Sequence, residues 1–209
     1  MDIAPGDGAA APLKLGVLGG TFDPPHMGHL VIAGQVAGAL GLDRVVFVPA
    51  GEPWQKEDFS SAEDRFLMTA LAAELHPRFA VSRIEIDRRG PTYTADTLTA
   101  LHDFYGAGLE LFFVLGADAL ALLPTWQRTE KLYELARFVA VCRPGFEFVV
   151  PDGTPEVARV ESPAIDISST GIRDLVRAGR PIDFLVPEAV RGYIAEHGLY
   201  QGTREEAHA

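Results

Sequence analysis

Short apolar runs alternate with amphipathic stretches along most of this chain. The apolar and alternating runs predict β-strands at 14–20, 44–51, 78–87, 109–118 and 137–145. Between and after them, apolar residues recur every three or four positions, which predicts helices from Met27 to about Leu40 and at 60–75, 92–106, 168–179 and 187–198. The segment 146–167 is less regular, carries several prolines and predicts no defined element.

Strands that alternate with helices predict an α/β fold, in which a parallel sheet is covered by helices on both faces. Residues 13–200 form one domain in this interpretation, with a flexible leader at 1–12 and a flexible tail at 201–209. In such sheets ligands bind at the carboxyl ends of the strands, near the position where the strand order reverses. Residues that directly follow a strand are therefore the first candidates for a binding site.

The net charge of the chain limits the kinds of ligand that it is expected to bind. The 209 residues include 18 Lys and Arg against 29 Asp and Glu, a formal net charge of −11, and the pI is about 4.9. This acidic balance argues against broad binding of nucleic acid, which requires the neutralisation of many phosphates. It does not argue against a small phosphorylated ligand, because helix N-termini and a few cationic side chains suffice for a local positive site.

The N-terminus and the cysteine content predict a cytoplasmic protein. The first residues lack the basic start and the long apolar core of a signal peptide. No apolar stretch reaches the about 20 residues that cross a bilayer, so no membrane partner is expected. The single cysteine, Cys142, cannot form an intrachain disulfide and is predicted to be a small buried residue at the end of a strand. The sequence leaves open whether the chain forms a homo-oligomer.

The segment GGTFDPPHMGHL follows the first predicted strand. Its first residues, Gly19 and Gly20, let backbone N–H groups approach an anion closely. A helix is predicted to begin just after the two prolines, so His26 and His29 share one face of its first turn. Two ring nitrogens beside the positive end of a helix favour a phosphate, and Gly28 leaves room for a ligand to lie against the backbone.

Two other interpretations of the histidine pair stay open, namely half of a zinc site and two satisfied core histidines. The HExxH form of a zinc site is absent, and no nearby cysteine or third histidine accompanies the pair. The dinucleotide fingerprint GxGxxG is not matched, because the glycines fall at Gly16, Gly19 and Gly20. The GxxxxGK[ST] loop is absent as well. The pattern favours phosphate binding by a different kind of loop.

A second candidate phosphate-binding segment, ISSTGIR, lies near the C-terminal end. Ser168, Ser169 and Thr170 are predicted to start a helix as hydroxyl caps, and Arg173 lies within its first turn. Taken alone, the segment is explained equally well by N-capping beside a solvated arginine. Together with the histidine segment, it predicts a second contact to the same phosphate group.

The segments GTFDPPHMGH and ISSTGIR resemble the (H/T)xGH and SSTxIR signatures of the nucleotidyltransferase superfamily. Three further segments are similar to those of the bacterial nicotinate mononucleotide adenylyltransferases, and they are RRGPTYTADTL at 88–98, LGADALALLPTW at 115–126 and CRPG at 142–145. The resemblance covers residues 14–200 approximately. It implies a Rossmann-like, doubly wound parallel sheet, the nucleotidyltransferase fold, with helices at the C-terminal end.

The activity that the resemblance implies is transfer of AMP from ATP to nicotinate mononucleotide, which gives deamido-NAD and pyrophosphate. The 5′-phosphate of the acceptor would attack the α-phosphorus directly, and Mg²⁺ carried with ATP would neutralise the leaving pyrophosphate. No metal-ligating residue of the protein is assigned. Positioning and charge stabilisation are expected to supply most of the rate, because this chemistry needs little covalent help.

The resemblance also implies roles for individual residues. The catalytic contacts to phosphate would be His26, His29, Arg173 and Lys56. The residues that bind ATP would be Gly19, Gly20, Thr21, Phe22, Gly28, Gly116, Asp118, Ser168, Ser169 and Thr170. The pyridine ring and its carboxylate would be recognised by Tyr93, Thr94, Trp126 and Gln127. If the substrate carried a carboxamide in place of the carboxylate, its N–H donors would face the donors of the protein. This mismatch is expected to cost a few kcal/mol of binding free energy.

One segment departs from the family pattern, and rival functions remain. Many family members carry Pro-Pro-His-Lys after the second strand, whereas this chain has Pro53-Trp54-Gln55-Lys56. The partner of Lys56 is therefore open, and so is whether Trp54 stacks on a substrate or only shields the loop. The alternatives are a sister transferase that acts on nicotinamide mononucleotide, pantetheine phosphate or a phosphocholine-like acceptor, and a non-catalytic nucleotide-binding regulator.

Overall fold

The structure, a computed structural model, describes residues 12–51, 59–142, 145 and 147–201. Strands and helices alternate as the apolar pattern predicts. The elements are β1 Leu13–Gly20, α1 Met27–Ala39, β2 Arg44–Pro49, α2 Ala62–Ala73, β3 Phe79–Val81, α3 Thr94–Tyr105, β4 Leu109–Gly116, α4 Ala117–Ala121, α5 Thr129–Leu135, β5 Arg137–Cys142, β6 Val157–Glu161, α6 Ser169–Arg177 and α7 Glu188–Glu196.

The strands form one parallel sheet in the order β3-β2-β1-β4-β5-β6. The strand order reverses between β1 and β4, which are neighbours at the centre of the sheet. The carboxyl ends of these two strands therefore lie where a doubly wound sheet binds its ligand. The predicted α/β, doubly wound fold class with C-terminal helices is confirmed.

Apolar residues cover both faces of the sheet. The buried neighbours Val46 and Phe47 in β2 point to opposite faces and belong to two separate apolar clusters. Phe47 shares its cluster with residues of α1, α2, α6 and α7, whereas Val46 shares its cluster with residues of α3, α4 and α5. Cys142, at the end of β5, is 5% exposed, which confirms the prediction of a small buried residue.

The predicted secondary structure is wrong in two places. The predicted strand at 78–87 is regular only at Phe79–Val81, because β2 pairs with those three residues alone and the chain then turns. The segment 146–167, which predicts no regular element, contains β6. This strand pairs with β5 at the edge of the sheet, and Val160 is its one buried residue, so its apolar pattern is weak.

The predicted leader and tail lie almost entirely outside the described residues, as do Trp54 and Lys56. None of the helices that the structure describes has both the length and the apolar character needed to cross a membrane.

Gly51 lies just beyond β2, against the backbone of Glu85. A Cβ atom on Gly51 would lie 2.3 Å from the carbonyl oxygen of Glu85, a distance that only a backbone shift could relieve. We predict that Gly51→Ala lowers the free energy of unfolding by about 1–3 kcal/mol, as measured by urea denaturation. The matched variant Gly38→Ala, in α1 and with nothing within 4 Å of its added Cβ, should raise it by about 0.5–1 kcal/mol. Equal stability of Gly51→Ala and the wild type would contradict this close approach.

Candidate active site

The fold brings the histidine segment and the ISSTGIR segment together at the carboxyl end of β1. The Oγ of Ser169 donates a hydrogen bond to the carbonyl oxygen of Pro24 at 2.8 Å. Nη1 of Arg173 donates to the carbonyl oxygen of Asp23 at 2.7 Å, and Nη2 donates to Oγ1 of Thr170 at 3.2 Å. The starts of α1 and α6 are thereby joined, so the two segments belong to one site.

Ser168 shows why α6 begins where it does. Its side chain is the N-cap, and its Oγ accepts a hydrogen bond from the N–H of Gly171 at 3.1 Å. The segment therefore both caps the helix and takes part in the site. Ser168 caps α6, whereas Ser169, Thr170 and Arg173 contact the neighbouring turn or one another.

The turn between β1 and α1 is built around Asp23, whose side chain is fully buried. Its carboxylate accepts hydrogen bonds from the N–H of Ser60 at 3.2 Å and from the hydroxyl of Tyr200 at 2.6 Å. The peptide bond between Asp23 and Pro24 is cis. Sequence reasoning missed Asp23 and Tyr200, because their partners are separated by 37 and 177 positions and no local signal connects them.

His26 and His29 stack on each other at the start of α1. Their ring centroids are 3.7 Å apart with an angle of 22° between the planes. The backbone N–H of His26 donates to Nδ1 of His29 at 3.2 Å, so the proton of a neutral His29 is carried on Nε2. Nδ1 of His26 is buried and has no hydrogen-bond partner within the described part of the chain.

Burial keeps both histidines neutral. It lowers the pKa of His26 to about 4, and together with the neighbouring charge of His26 it lowers the pKa of His29 to about 3. At neutral pH, His29 therefore presents a neutral N–H donor at the positive end of α1. An anion bound beside the pair would favour the charged form and raise both pKa values.

The glycines and Phe22 shape the surroundings of the histidines. Phe22 has a left-handed backbone (φ 51°), and its buried ring lies edge-on to His29 at 5.0 Å. A Cβ on Gly20 would lie 3.0 Å from the Phe22 ring, and one on Gly28 would lie 3.0 Å from Nδ1 of His26. These two glycines therefore make room for side chains. Gly19 is exposed, and a Cβ there would meet nothing within 4 Å, so it is the glycine open to a ligand.

Arg65 is a further site residue that sequence reasoning missed. Its side chain is 1% exposed, and its guanidinium donates to carbonyl oxygens of the chain around the turn. Nη1 donates to the carbonyls of Thr21 at 3.1 Å and Ala50 at 2.6 Å. Nη2 donates to Gly51 at 2.8 Å, and Nε donates to Ser60 at 3.2 Å. The sequence feature that could have identified Arg65 is its position on the apolar face of an amphipathic helix.

The other predicted residues follow β4 or begin α3. Gly116 is the N-cap of α4, and it and Asp118 are exposed at the carboxyl end of β4. Trp126 is half-buried, and its ring lies edge-on to Phe113 of β4 at 6.0 Å. Gln127, the next residue, is exposed.

The residues predicted from the PTYT segment lie at the start of α3. Tyr93 is the N-cap and is 42% exposed, and Thr94 is the first helical residue. An ion pair between Asp96 and Arg128 connects this helix with the turn that carries Trp126. The PTYT and LPTW segments are therefore neighbours in space.

Among the residues that the structure describes, no group of three or more His, Cys, Asp or Glu side chains is arranged to hold a metal ion.

The fold and the site define a class of protein. A family model of cytidylyltransferase-like proteins matches residues 17–175, a range that begins in β1, ends in α6 and includes both segments of the site. The protein is thus a nucleotidyltransferase of the cytidylyltransferase-like class.

Relatives define the family within this class. The probable nicotinate-nucleotide adenylyltransferase of Saccharopolyspora erythraea is 52% identical over 199 residues, which cover 93% of this chain and 92% of that protein. The protein of that name from Mycobacterium bovis is 50% identical over 197 residues, with coverage of 90% and 92%. The chain belongs to the nicotinate-nucleotide adenylyltransferase family.

A solved structure shares the fold. Plasmodium falciparum nicotinic acid mononucleotide adenylyltransferase complexed with NaAD matches with a TM-score of 0.75 at 18% identity. The match covers 90% of this chain and 97% of that one.

The depressed pKa values predict that acid destabilises the fold through the histidine pair. An unfolded histidine has a pKa of 6.5, so between pH 6.5 and about 4 the unfolded chain binds more protons at His26 than the folded chain. The free energy of unfolding therefore falls as the pH falls through this window. We predict that His26→Asn, which keeps a residue suited to the N-cap, loses about 1–3 kcal/mol less than the wild type between pH 7 and pH 4.5.

Urea denaturation at each pH measures this difference. Acid titration of groups remote from the pair is common to both proteins and cancels in the comparison. His29 loses the neighbouring charge of His26 in the variant, so it adds to the difference in the same direction. Parallel pH profiles of the variant and the wild type would contradict a neutral, buried His26.

Proposed function

We propose that this protein transfers AMP from ATP to nicotinate mononucleotide and releases pyrophosphate, with deamido-NAD as the product. The observation that carries the proposal is the meeting of two helix N-termini, the histidine pair and Arg173 beside the strand-order reversal. The acceptor segments lie at the start of α3 and in the turn between α4 and α5. Membership of the nicotinate-nucleotide adenylyltransferase family supports the choice of acceptor.

The triphosphate of ATP would lie between the starts of α1 and α6. Both helices direct the positive ends of their dipoles to this place. His29 would donate from Nε2 to the phosphoryl oxygen that gains charge, and Arg173 would add its permanent positive charge. A focused positive site in a chain of net charge −11 is consistent with a small polyanion as ligand.

The acceptor would bind between α3 and the turn that follows Trp126. Trp126 offers an aromatic face to the pyridine ring. Thr94 and the backbone N–H of Gln127 offer donors to the carboxylate. In the described part of the chain, that N–H donates to no other residue, so it is available to a ligand.

The residues of the chain act by positioning and by charge. The two substrates would be held so that the acceptor phosphate faces the α-phosphorus opposite the leaving pyrophosphate, which removes most of the entropic cost of the encounter. Mg²⁺ that arrives with ATP would neutralise charge on the phosphates. Gly116 and Asp118, exposed at the end of β4, would contact the adenosine part.

The substrate assignment is tested by pyrophosphate release from ATP with a panel of acceptors. We predict that kcat/KM for nicotinate mononucleotide exceeds that for nicotinamide mononucleotide by about a hundredfold, because the N–H groups of the amide would face the donors of Thr94 and Gln127. Pantetheine phosphate and phosphocholine should give no release above background.

Two outcomes would contradict the assignment. Preference for the amide or for another acceptor would indicate a sister transferase. ATP binding without pyrophosphate release for any acceptor would indicate a non-catalytic regulator.

The role of His29 is tested by its replacement. We predict that His29→Ala lowers kcat about a hundredfold or more with a KM for ATP within a few-fold of the wild type, because a donor to the transition state is lost. His197→Ala, which removes an exposed histidine at the end of α7, is the control and should keep full activity. Near-normal turnover of His29→Ala would exclude the catalytic role.

A further inference from the structure

An ion pair joins the two segments that flank the proposed acceptor pocket. Nη1 of Arg128 donates to Oδ1 of Asp96 at 2.7 Å, and Nη2 donates to Oδ2 at 2.6 Å. Two parallel hydrogen bonds of this kind fix orientation as well as distance. Asp96 lies in the first turn of α3, two residues after Thr94, and Arg128 lies two residues after Trp126.

The backbone conformation of Arg128 and its contact with the ring of Tyr93 place its side chain against the start of α3. Arg128 is the N-cap of α5 and has a left-handed backbone (φ 59°), which a residue with a Cβ rarely adopts. Its guanidinium carbon lies 5.1 Å from the centroid of the Tyr93 ring. One side chain therefore contacts both the N-cap residue and the first turn of α3.

Farther along the chain, α3 and α5 pack through a shared apolar cluster. The turn itself forms two further contacts. The Oγ1 of Thr129 donates to the carbonyl of Trp126 at 2.7 Å, which braces the turn internally. The ring of Trp126 lies against Phe113, which connects the turn with β4. Neither contact reaches α3, whereas the Asp96–Arg128 ion pair does.

We propose that Asp96 and Arg128 are positioning residues that set the spacing between Thr94 and the backbone of Trp126 and Gln127, and thereby the affinity for the acceptor nucleotide. The inference rests on the proposed function. It assigns the ion pair no contact with the substrate, since the pair acts through the residues on either side of the pocket.

The pKa shifts of Asp96 and Arg128 agree with this geometry. Arg128 lowers the pKa of Asp96, and Asp96 raises the pKa of Arg128, so the pair stays charged through the neutral range. The side chains are 37% and 42% exposed, and exposed pairs contribute little to global stability. Breaking the pair should therefore affect the pocket more than the fold.

The experiment is a double-mutant cycle on steady-state kinetics with Asp96→Asn, Arg128→Met and the double variant. Each single variant is expected to raise the KM for nicotinate mononucleotide about tenfold and to leave the KM for ATP within about twofold of the wild type. The double variant should be no worse than the singles, because the pair is already broken in each. Thermal melting monitored by circular dichroism establishes that all variants are folded.

A matched control is the pair formed by Glu188 and Arg191 on α7, which also has two hydrogen bonds between guanidinium and carboxylate. Glu188→Gln and Arg191→Met should leave both Michaelis constants unchanged. The proposal is overturned by an unchanged acceptor KM in both Asp96→Asn and Arg128→Met, by equal increases for the two substrates, or by additive effects in the double variant.

A second readout does not depend on activity. The chain has two tryptophans, so in a Trp54→Phe background Trp126 is the only one. Acrylamide quenching of its fluorescence should increase when Arg128→Met releases the turn and should stay unchanged in the Arg191→Met control.

The two readouts separate failure of this inference from failure of the proposed function. A wild type that forms no dinucleotide from nicotinate mononucleotide contradicts the proposed function, and the quenching then decides whether the ion pair positions the turn. Unchanged quenching in Arg128→Met overturns the inference even where the transfer reaction is confirmed.

Discussion

The buried guanidinium of Arg65 is the contact on which the geometry of the site depends. A buried positive charge is costly unless its donors are satisfied, and here the donors are matched by the carbonyl oxygens of Thr21, Ala50, Gly51 and Ser60. These carbonyls belong to the chain after β1, the chain after β2 and the entrance to α2. Because the arginine needs all of them, it fixes the ends of two neighbouring strands relative to each other.

Asp23 completes this arrangement from the other side. Its buried carboxylate lies in the field of Arg65 and accepts a hydrogen bond from Tyr200, while its backbone carbonyl accepts one from Arg173. The C-terminal part of the chain thus contributes directly to the turn that carries His26. An acidic protein can present a local positive site there, because the two guanidiniums and two helix N-termini converge on one edge of the sheet.

The sequence predictions are accurate where the interacting residues are close together in the chain and fail where they are far apart. Helix starts were predicted well, since caps such as Ser61 and Ser168 act over three residues. The predicted strand at 78–87 was too long because alternation continues where β2 offers no further partner, and β6 was missed because an edge strand with one buried residue carries little apolar signal. The candidate residues of both phosphate segments meet in space, but their ligand contacts stay predictions.

The sequence by itself determined most of the strand and helix pattern, the parallel α/β class and two candidate phosphate-binding segments, because periodicity, capping and short motifs are encoded in neighbouring residues. Only the tertiary structure decided that Gly20 and Gly28 accommodate side chains, that Arg65 and Tyr200 support the site and that Asp96 pairs with Arg128. Each of these depends on residues that the fold, and not the chain order, brings within contact distance. Their energies arise from burial and geometry, which no local pattern specifies.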